Sequence, residues 1–198
     1  MLFRSFAALG ADLCSVTAHK LGGPKGAAAL LVRRGLRLPP LVVGGAQERA
    51  RRGGIENVPA IVGFGAAAAE LVGRIEHDAE RERALTERLA RDATASVTGL
   101  DRFGDPDDRL PHLVCFGVSG VEAEPILLAL DQHGVAVHSG SSCSSEALEP
   151  SPVLAAMGVD AEHSLRASVG WPSTDADVDA FLAVFPGIVE RLRGLREP

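Results

Sequence analysis

The sequence has 198 residues, of which 46% are hydrophobic and only 4% aromatic, and its formal net charge is -6 at pH 7. This length and composition suit an ordinary folded protein with one good core or two small ones, and exclude a disordered chain. The acidic balance argues against a general nucleic-acid-binding protein, although the cluster of Arg49, Arg51 and Arg52 could hold a single phosphate.

The three cysteines give no sign of a disulfide scaffold or a metal site. Cys14, Cys115 and Cys143 lie far apart and form no Cys-x-x-Cys pair. Cys14 and Cys115 stand in apolar stretches, which predicts that both pack in the core as small hydrophobic side chains. No stretch resembles a membrane span or an export signal, so we expect a soluble, cytoplasmic protein without membrane contact.

The first stretch that suggests chemistry runs from residue 17 to residue 26 and combines a hydroxyl, an imidazole and two amines with three glycines and a proline. The glycines and the proline predict a tight turn. The apolar run that follows, residues 27–32, predicts a strand buried on both faces. Lys20 would then lie at the entrance to the core, where desolvation could make its amine a nucleophile. The alternative is a solvated loop with ordinary lysines.

The segment 17–20, Thr-Ala-His-Lys, and the segment 23–26, Gly-Pro-Lys-Gly, closely resemble a block of the cysteine desulfurases. These are class V aminotransferase-like enzymes that use pyridoxal 5'-phosphate. The resemblance implies that Lys20 carries the cofactor and that His19 and Thr17 contact its phosphate. Three later stretches match the same family in the same order, so the resemblance covers almost the whole chain.

The second matching stretch begins at Gly44 with Gly-Gly-Ala-Gln-Glu and resembles the Gly-Gly-Gly-Gln-Glu segment of the family. Ala46 replaces one glycine, which is tolerable only if this position does not need a positive φ. Further along, Ile55 stands where the family has a threonine that reaches the cofactor phosphate of the partner subunit. Isoleucine donates no hydrogen bond, so phosphate binding is either weaker or supported by Arg51, Arg52 and backbone amides.

The middle of the chain is helical by pattern. Apolar residues at three- and four-residue steps predict a helix over 61–93 that links two domains. A second helix is predicted over 122–133, ended by Gly134. The alternating or apolar runs that predict strands in this part of the chain are residues 96–99, 112–118, 135–138 and 164–170.

The last helix begins near Ser173, where Thr174 and Asp177 approximate a capping box. Apolar residues from Val178 onward form a stripe that predicts core packing. Pro186 is expected to kink the helix or to split it in two.

Two residues in the second half of the sequence, Cys143 and Arg166, have side chains of the kinds that the family uses at its active site. The loop of residues 139–150 is rich in serine and has Cys143 near its middle, which gives access to the thiol but no visible activating partner. The loop resembles the family's Gly-Ser-Ala-Cys stretch, which implies that Cys143 is the nucleophile that forms a persulfide. Arg166 lies on the polar face of the strand predicted over 164–170, and the matching family arginine binds the substrate α-carboxylate through a bidentate fork.

The predicted fold is α/β. Residues 1–70 are expected to be the end of the large domain of a fold type I pyridoxal phosphate transferase, residues 71–95 a linking helix, and residues 96–198 a small α+β C-terminal domain with the cysteine loop. The resemblance covers roughly the second half of a cysteine desulfurase, and the aspartate that the family pairs with the pyridine nitrogen has no counterpart here.

The activity that the resemblance implies is removal of sulfur from L-cysteine to give alanine and an enzyme persulfide. The sulfur would pass to an acceptor protein for iron–sulfur cluster or thio-cofactor supply, and the complete enzyme would be a homodimer. A selenocysteine lyase or another class V enzyme is one alternative, and a non-catalytic remnant is another. Whether the isolated chain is an enzyme stays open, and we expect it to bind pyridoxal phosphate weakly or not at all.

Overall fold

The computed structural model describes residues 5–139 and 151–195, and the chain divides into two compact units, Met1–Glu76 and His77–Pro198. The first unit contains β1 (Leu13–Thr17), a 3₁₀ helix (Ala18–Leu21), β2 (Ala28–Val32), the short turn α1 (Gln47–Ala50) and α2 (Val58–Val72). Helix α3 (Ile75–Ser96) begins at the boundary, and the second unit continues with β3 (Leu100–Phe103), β4 (Leu113–Val118), α4 (Ala123–Gln132), β5 (His138–Ser139), α5 (Pro152–Ala156), β6 (Ser164–Ser168) and α6 (Asp175–Gly194). The predicted division at residues 70 and 95 stays a prediction.

The first unit contains a two-stranded antiparallel sheet in which Thr17 of β1 lies opposite Ala28 of β2. The apolar side chains of β2 are largely accessible, with Leu30 at 55% and Leu31 at 39% exposure. The predicted burial of this strand on both faces is therefore wrong for this chain, because two strands alone cannot cover both faces of each other.

The helix predicted over 61–93 is in fact two helices. Helix α2 ends at Val72, Gly73 is its C-cap, and α3 starts at Ile75. The amide of Arg74 donates to the carbonyl of Leu71 at 2.9 Å, which closes the last turn of α2. Glycine loses the most backbone entropy in a helix, and this favours a break at Gly73.

The second unit is built on a four-stranded antiparallel sheet in the order β3-β4-β6-β5. Side chains alternate along each strand, and Val114, Phe116, Leu165 and Ala167 face a core shared with α3, α4 and α6. Residues between them, such as Arg166, lie on the opposite face. The strand predicted over 96–99 is wrong, because α3 continues to Ser96 and β3 begins only at Leu100.

The ends of the helices in this unit follow the predicted signals. Gly134 has a φ of 73°, and the amides of Gly134 and Val135 donate to the carbonyls of Asp131 and Leu130 at 2.9 and 3.0 Å, a Schellman motif that ends α4. The strand predicted over 135–138 is displaced, since among the described residues β5 is His138–Ser139.

Helix α6 starts at the predicted capping box, where the Asp177 carboxylate accepts from the amide of Thr174 at 2.7 Å. Of the two effects expected of Pro186, a split is wrong, because α6 runs unbroken from Asp175 to Gly194 with the proline inside it, and a kink stays a prediction. Phe181 and Phe185 stack with ring centroids 4.7 Å apart and anchor α6 in the core. Over the residues that the structure describes, no single helix is long and apolar enough to cross a membrane.

Candidate active site

The Thr-Ala-His-Lys segment forms one compact turn at the end of β1. Thr17 is the last strand residue and the N-cap of the 3₁₀ helix Ala18–Leu21, so His19 and Lys20 lie within that helix. Gly22 ends the helix with a φ of 78°, a left-handed conformation that suits glycine. The structure therefore brings three of the predicted site residues, Thr17, His19 and Lys20, together on one turn.

Helix α2 packs against this turn. Ala18 is fully buried and packs with Ala27 and Ala60, the last of these on α2. A Cβ placed on Gly63 of α2 would lie 2.8 Å from Cγ of Pro24, so glycine is required for this close approach. The backbone that presents Lys20 is thus fixed by packing against a helix.

The polar groups of the turn differ in their exposure. The side chains of His19 and Lys20 are exposed, whereas Thr17 Oγ1 is buried and has no hydrogen-bond partner among the described residues. The described residues leave Lys20 exposed, so they do not provide the desolvation that was expected for its amine. A hydroxyl, an imidazole and an amine on one short turn are the kinds of group that hold a phosphate and react with an aldehyde.

The loop of residues 41–57 is held by a close crossing of its own backbone. A Cβ on Gly53 would lie 2.6 Å from Cα of Gly44, and the amide of Gly53 donates to the carbonyl of Val42 at 2.7 Å. Between these points Glu48 and Arg49 have left-handed φ values of 50° and 59°. A left-handed residue other than glycine costs about 1–2 kcal/mol, so the tip of the loop is strained.

The two substitutions noted in this loop have different consequences. Ala46 has a φ of -84°, which confirms that its methyl group is tolerated. Ile55 is 88% exposed, and its side chain offers no donor to a ligand. Arg52 turns back on the loop, with Nη1 donating to the carbonyls of Gly54 at 3.2 Å and Ile55 at 3.1 Å.

In the second unit Arg166 lies in the middle of a row of side chains that crosses the sheet. Cys115 of β4 and His138 of β5 are both directly opposite it in the antiparallel register. All three residues are half-buried. This arrangement could not be predicted from the sequence, because the pattern of one strand does not show which residues, tens of positions away, pair with it.

The core position predicted for Cys115 is wrong. Its neighbours Val114 and Phe116 face the helices, so the alternation of the strand places Cys115 on the other face, beside Arg166. Burial raises the pKa of the Cys115 thiol above its ordinary value, and the nearby Arg166 guanidinium partly opposes this. Cys14 is likewise only half-buried.

The loop that follows Arg166 is held by an arginine of α3. Arg81 Nη1 donates to the carbonyl of Ser173 at 2.6 Å, and Nη2 donates to the carbonyls of Gly170 and Trp171, both at 3.1 Å. These hydrogen bonds link the loop after β6 to helix α3. Cys143, predicted to be the nucleophile, lies outside the described residues.

The family model described as aminotransferase class-V matches residues 4–181 of this sequence. The chain belongs to the class-V aminotransferase family. Members of this family generally depend on pyridoxal phosphate. Neither a metal-binding group of His, Cys, Asp and Glu nor a disulfide is found in the parts of this class-V chain that the structure describes.

Two relatives are cysteine desulfurases by name. The cysteine desulfurase of Trichormus azollae is 44% identical over 187 residues, which are 93% of this chain and 47% of the relative. Cysteine desulfurase IscS 1 of Archaeoglobus fulgidus is 43% identical over 190 residues, which are 94% of this chain and 50% of the relative. This class-V chain thus spans about half the length of the curated relatives that it matches.

A solved structure supports the same relationship. The NifS-like protein of Rickettsia africae superposes with a TM-score of 0.83 at 31% identity, over 96% of this chain and 50% of that chain. The fold is therefore that of part of a fold type I NifS-like protein, and the predicted α/β class is confirmed.

Proposed function

We propose that this chain forms the lysine-bearing half of a pyridoxal phosphate-dependent cysteine desulfurase. The observation that carries the proposal is the turn of residues 17–20, where a threonine at the N-cap precedes an exposed imidazole and an exposed amine. Identities of 43–44% to proteins named cysteine desulfurase, over at least 93% of this chain, support it. The complete enzyme is proposed to be a cytoplasmic homodimer that passes sulfur to a separate acceptor protein.

The residues of the turn fit the cofactor. Thr17 Oγ1 has no hydrogen-bond partner among the described residues, so its donor is available for a phosphate oxygen. His19 offers a ring N–H to the same phosphate, and the Lys20 amine would bind the cofactor aldehyde covalently. When bound, the cofactor supplies an electron sink that makes the bonds next to the substrate nitrogen easier to break.

Arg166 is proposed to bind the α-carboxylate of L-cysteine through two parallel hydrogen bonds from its guanidinium. Lys20 Nζ then takes the proton from the substrate Cα. The Cys143 thiolate attacks the substrate sulfur, the bond between Cβ and sulfur breaks, and a proton takes the place of sulfur on Cβ. L-cysteine and one enzyme thiol thus give alanine and one enzyme persulfide.

The test is to produce the chain together with the complementing half of the Trichormus azollae relative, and to measure alanine and persulfide formed from L-cysteine. We expect equal amounts of both in the first turnover. Lys20→Ala should lose both the cofactor absorbance and alanine formation, whereas Cys143→Ala should keep the absorbance and lose the persulfide. Lys25→Ala changes an exposed lysine five residues further along the chain; it is the control and should keep the absorbance.

Alanine formation by Lys20→Ala at the parent rate would disprove the proposal. Turnover of L-selenocysteine without turnover of L-cysteine would instead favour a selenocysteine lyase. The isolated chain should bind pyridoxal phosphate weakly, because one lysine bond does not replace the remaining contacts of the complete site.

A further inference from the structure

The row that contains Arg166 carries a second group that can bind an anion. His138 of β5 lies directly opposite Arg166 of β6. Directly opposite residues in an antiparallel pair share one face, with Cβ atoms about 5 Å apart. Both side chains are half-buried, so the imidazole extends beside the guanidinium from the same face of the sheet.

The hydrogen bond of His138 decides which ring nitrogen can meet a ligand. Nδ1 lies 3.2 Å from the backbone carbonyl oxygen of Ser139. A carbonyl only accepts, so Nδ1 carries the proton in this contact, and the longer contact with the Ser139 hydroxyl, at 3.5 Å, is secondary. Among the described residues, Nε2 is then the ring nitrogen left for a ligand. Nε2 becomes a second N–H donor when the imidazole is protonated.

The charged and titratable groups that face His138 come from three elements packed around it. Arg166 on β6 is its cationic neighbour, and Cys115 on the far side of Arg166 is kept neutral because burial raises the pKa of its thiol. Helix α4 also packs against β5, and its carboxylates Glu124 and Asp131 are exposed to solvent. A carboxylate bound at Arg166 would offset the repulsion between the guanidinium and a protonated imidazole.

We propose that His138 is a second binding group for the substrate carboxylate, and that it donates to this carboxylate from Nε2 beside the fork of Arg166. The inference rests on the proposed function, in which the substrate is an amino acid held by its carboxylate. Since the imidazole is protonated when the carboxylate binds, affinity for the carboxylate rises as the pH falls through the titration range of histidine.

The experiment follows the imidazole resonances of His138 by NMR in the parent chain, between about pH 5 and pH 8, where histidine titrates. The probe is L-alanine, which keeps the carboxylate, and L-alaninamide is the control that lacks it. We expect L-alanine to raise the pKa of His138 and L-alaninamide to leave it unchanged. A rise of one pKa unit corresponds to binding about tenfold tighter at the acidic end than at the basic end.

Two variants complete the experiment. His138→Gln should bind L-alanine about tenfold more weakly than the parent at about pH 5, and without pH dependence. His133→Gln changes an exposed histidine at the C-cap of α4 and should keep the parent's pH dependence.

A His138 titration that L-alanine does not change would overturn the inference, and this measurement on the parent needs no variant. Equal binding of L-alanine by His138→Gln and the parent at every pH would overturn it as well. If Arg166→Lys lost binding in that case, the proposed arginine clamp would stand without His138. Failure of the proposed function would appear separately, as absence of persulfide in the complemented enzyme.

Discussion

Removal of Arg81 should loosen the loop that follows Arg166. Its guanidinium donates to three carbonyls of this loop, at 2.6 Å for Ser173 and at 3.1 Å for both Gly170 and Trp171. Arg81→Met keeps an unbranched stem and removes all three donors. The loop lies near the surface and water can replace part of the loss, so we expect a decrease of about 1.5–3 kcal/mol in the free energy of unfolding, the value of one hydrogen bond to a charged group.

Urea unfolding can measure this change in the second unit alone. Trp171 is the only tryptophan of the sequence, so its fluorescence reports on the loop, while far-UV circular dichroism reports on the helices. With a urea m-value of about 1.5 kcal/mol/M, the midpoint from fluorescence should fall by about 1–2 M. The control is Arg91→Met on the same helix, because Arg91 is 71% exposed and pairs only with Asp92 at 2.7 Å among the contacts described for it. Such a surface pair contributes about 0–1 kcal/mol, so equal midpoints for the two variants would refute the reasoning.

Three further predictions concern other parts of the chain. Gly53→Ala should open the loop of residues 41–57 and speed its cleavage by trypsin, because the new Cβ would lie 2.6 Å from the facing backbone; Gly65→Ala meets nothing within 4 Å and should not. Hydrogen bonds from the N-cap residue hold the pKa of Asp177 below its ordinary value of 3.8, so Asp177→Ala should lower the urea midpoint at neutral pH. This difference should vanish as the pH falls through the lowered pKa, and a difference that persisted in strong acid would contradict the assignment. A thiol reagent should label Cys143 before Cys115, whose thiol pKa is raised by burial, and peptide mass spectrometry showing the reverse order would argue against Cys143 as the nucleophile.

Local signals in the sequence predicted those features that depend on neighbouring residues. The capping box of Thr174 and Asp177 and the helix end at Gly134 are set by hydrogen bonds within a few residues, and both predictions are confirmed. The position of Arg166 on the polar face of β6 follows from the period of two along a strand. Each of these features can be read from a window of fewer than about ten residues.

Features that depend on distant parts of the chain could not be predicted in this way. Cys115, His138 and Arg166 share a row only because β4 and β5 both pair with β6, and the register of that pairing is not written in any one strand. The exposure of Leu30 on β2 has the same origin, since an apolar run shows that a strand can be buried but not what covers it. The break at Gly73 is instead a local feature, and it was missed because the helical pattern on both sides concealed the cost of a glycine inside a helix.

The two units differ in how much apolar surface each buries in its own core. This difference affects the order in which they unfold. Among the described residues, the buried cluster of the first unit consists of Ala18, Ala27 and Ala60 with Phe64 against it, whereas the second unit buries large side chains such as Phe116 and those of its helices. Segments with few buried contacts open locally at lower free energy, so heating should melt the first unit before the second.

The turn that bears Lys20 belongs to the unit that melts first. A ligand that binds only the folded first unit stabilises that unit by mass action. The stabilisation is about 2.7 kcal/mol when the ligand concentration is a hundred times the dissociation constant. Occupancy of the turn and the midpoint of the first transition are therefore linked. A calorimetric trace in which only the lower transition moves with added ligand would report binding at Lys20 without any measurement of turnover.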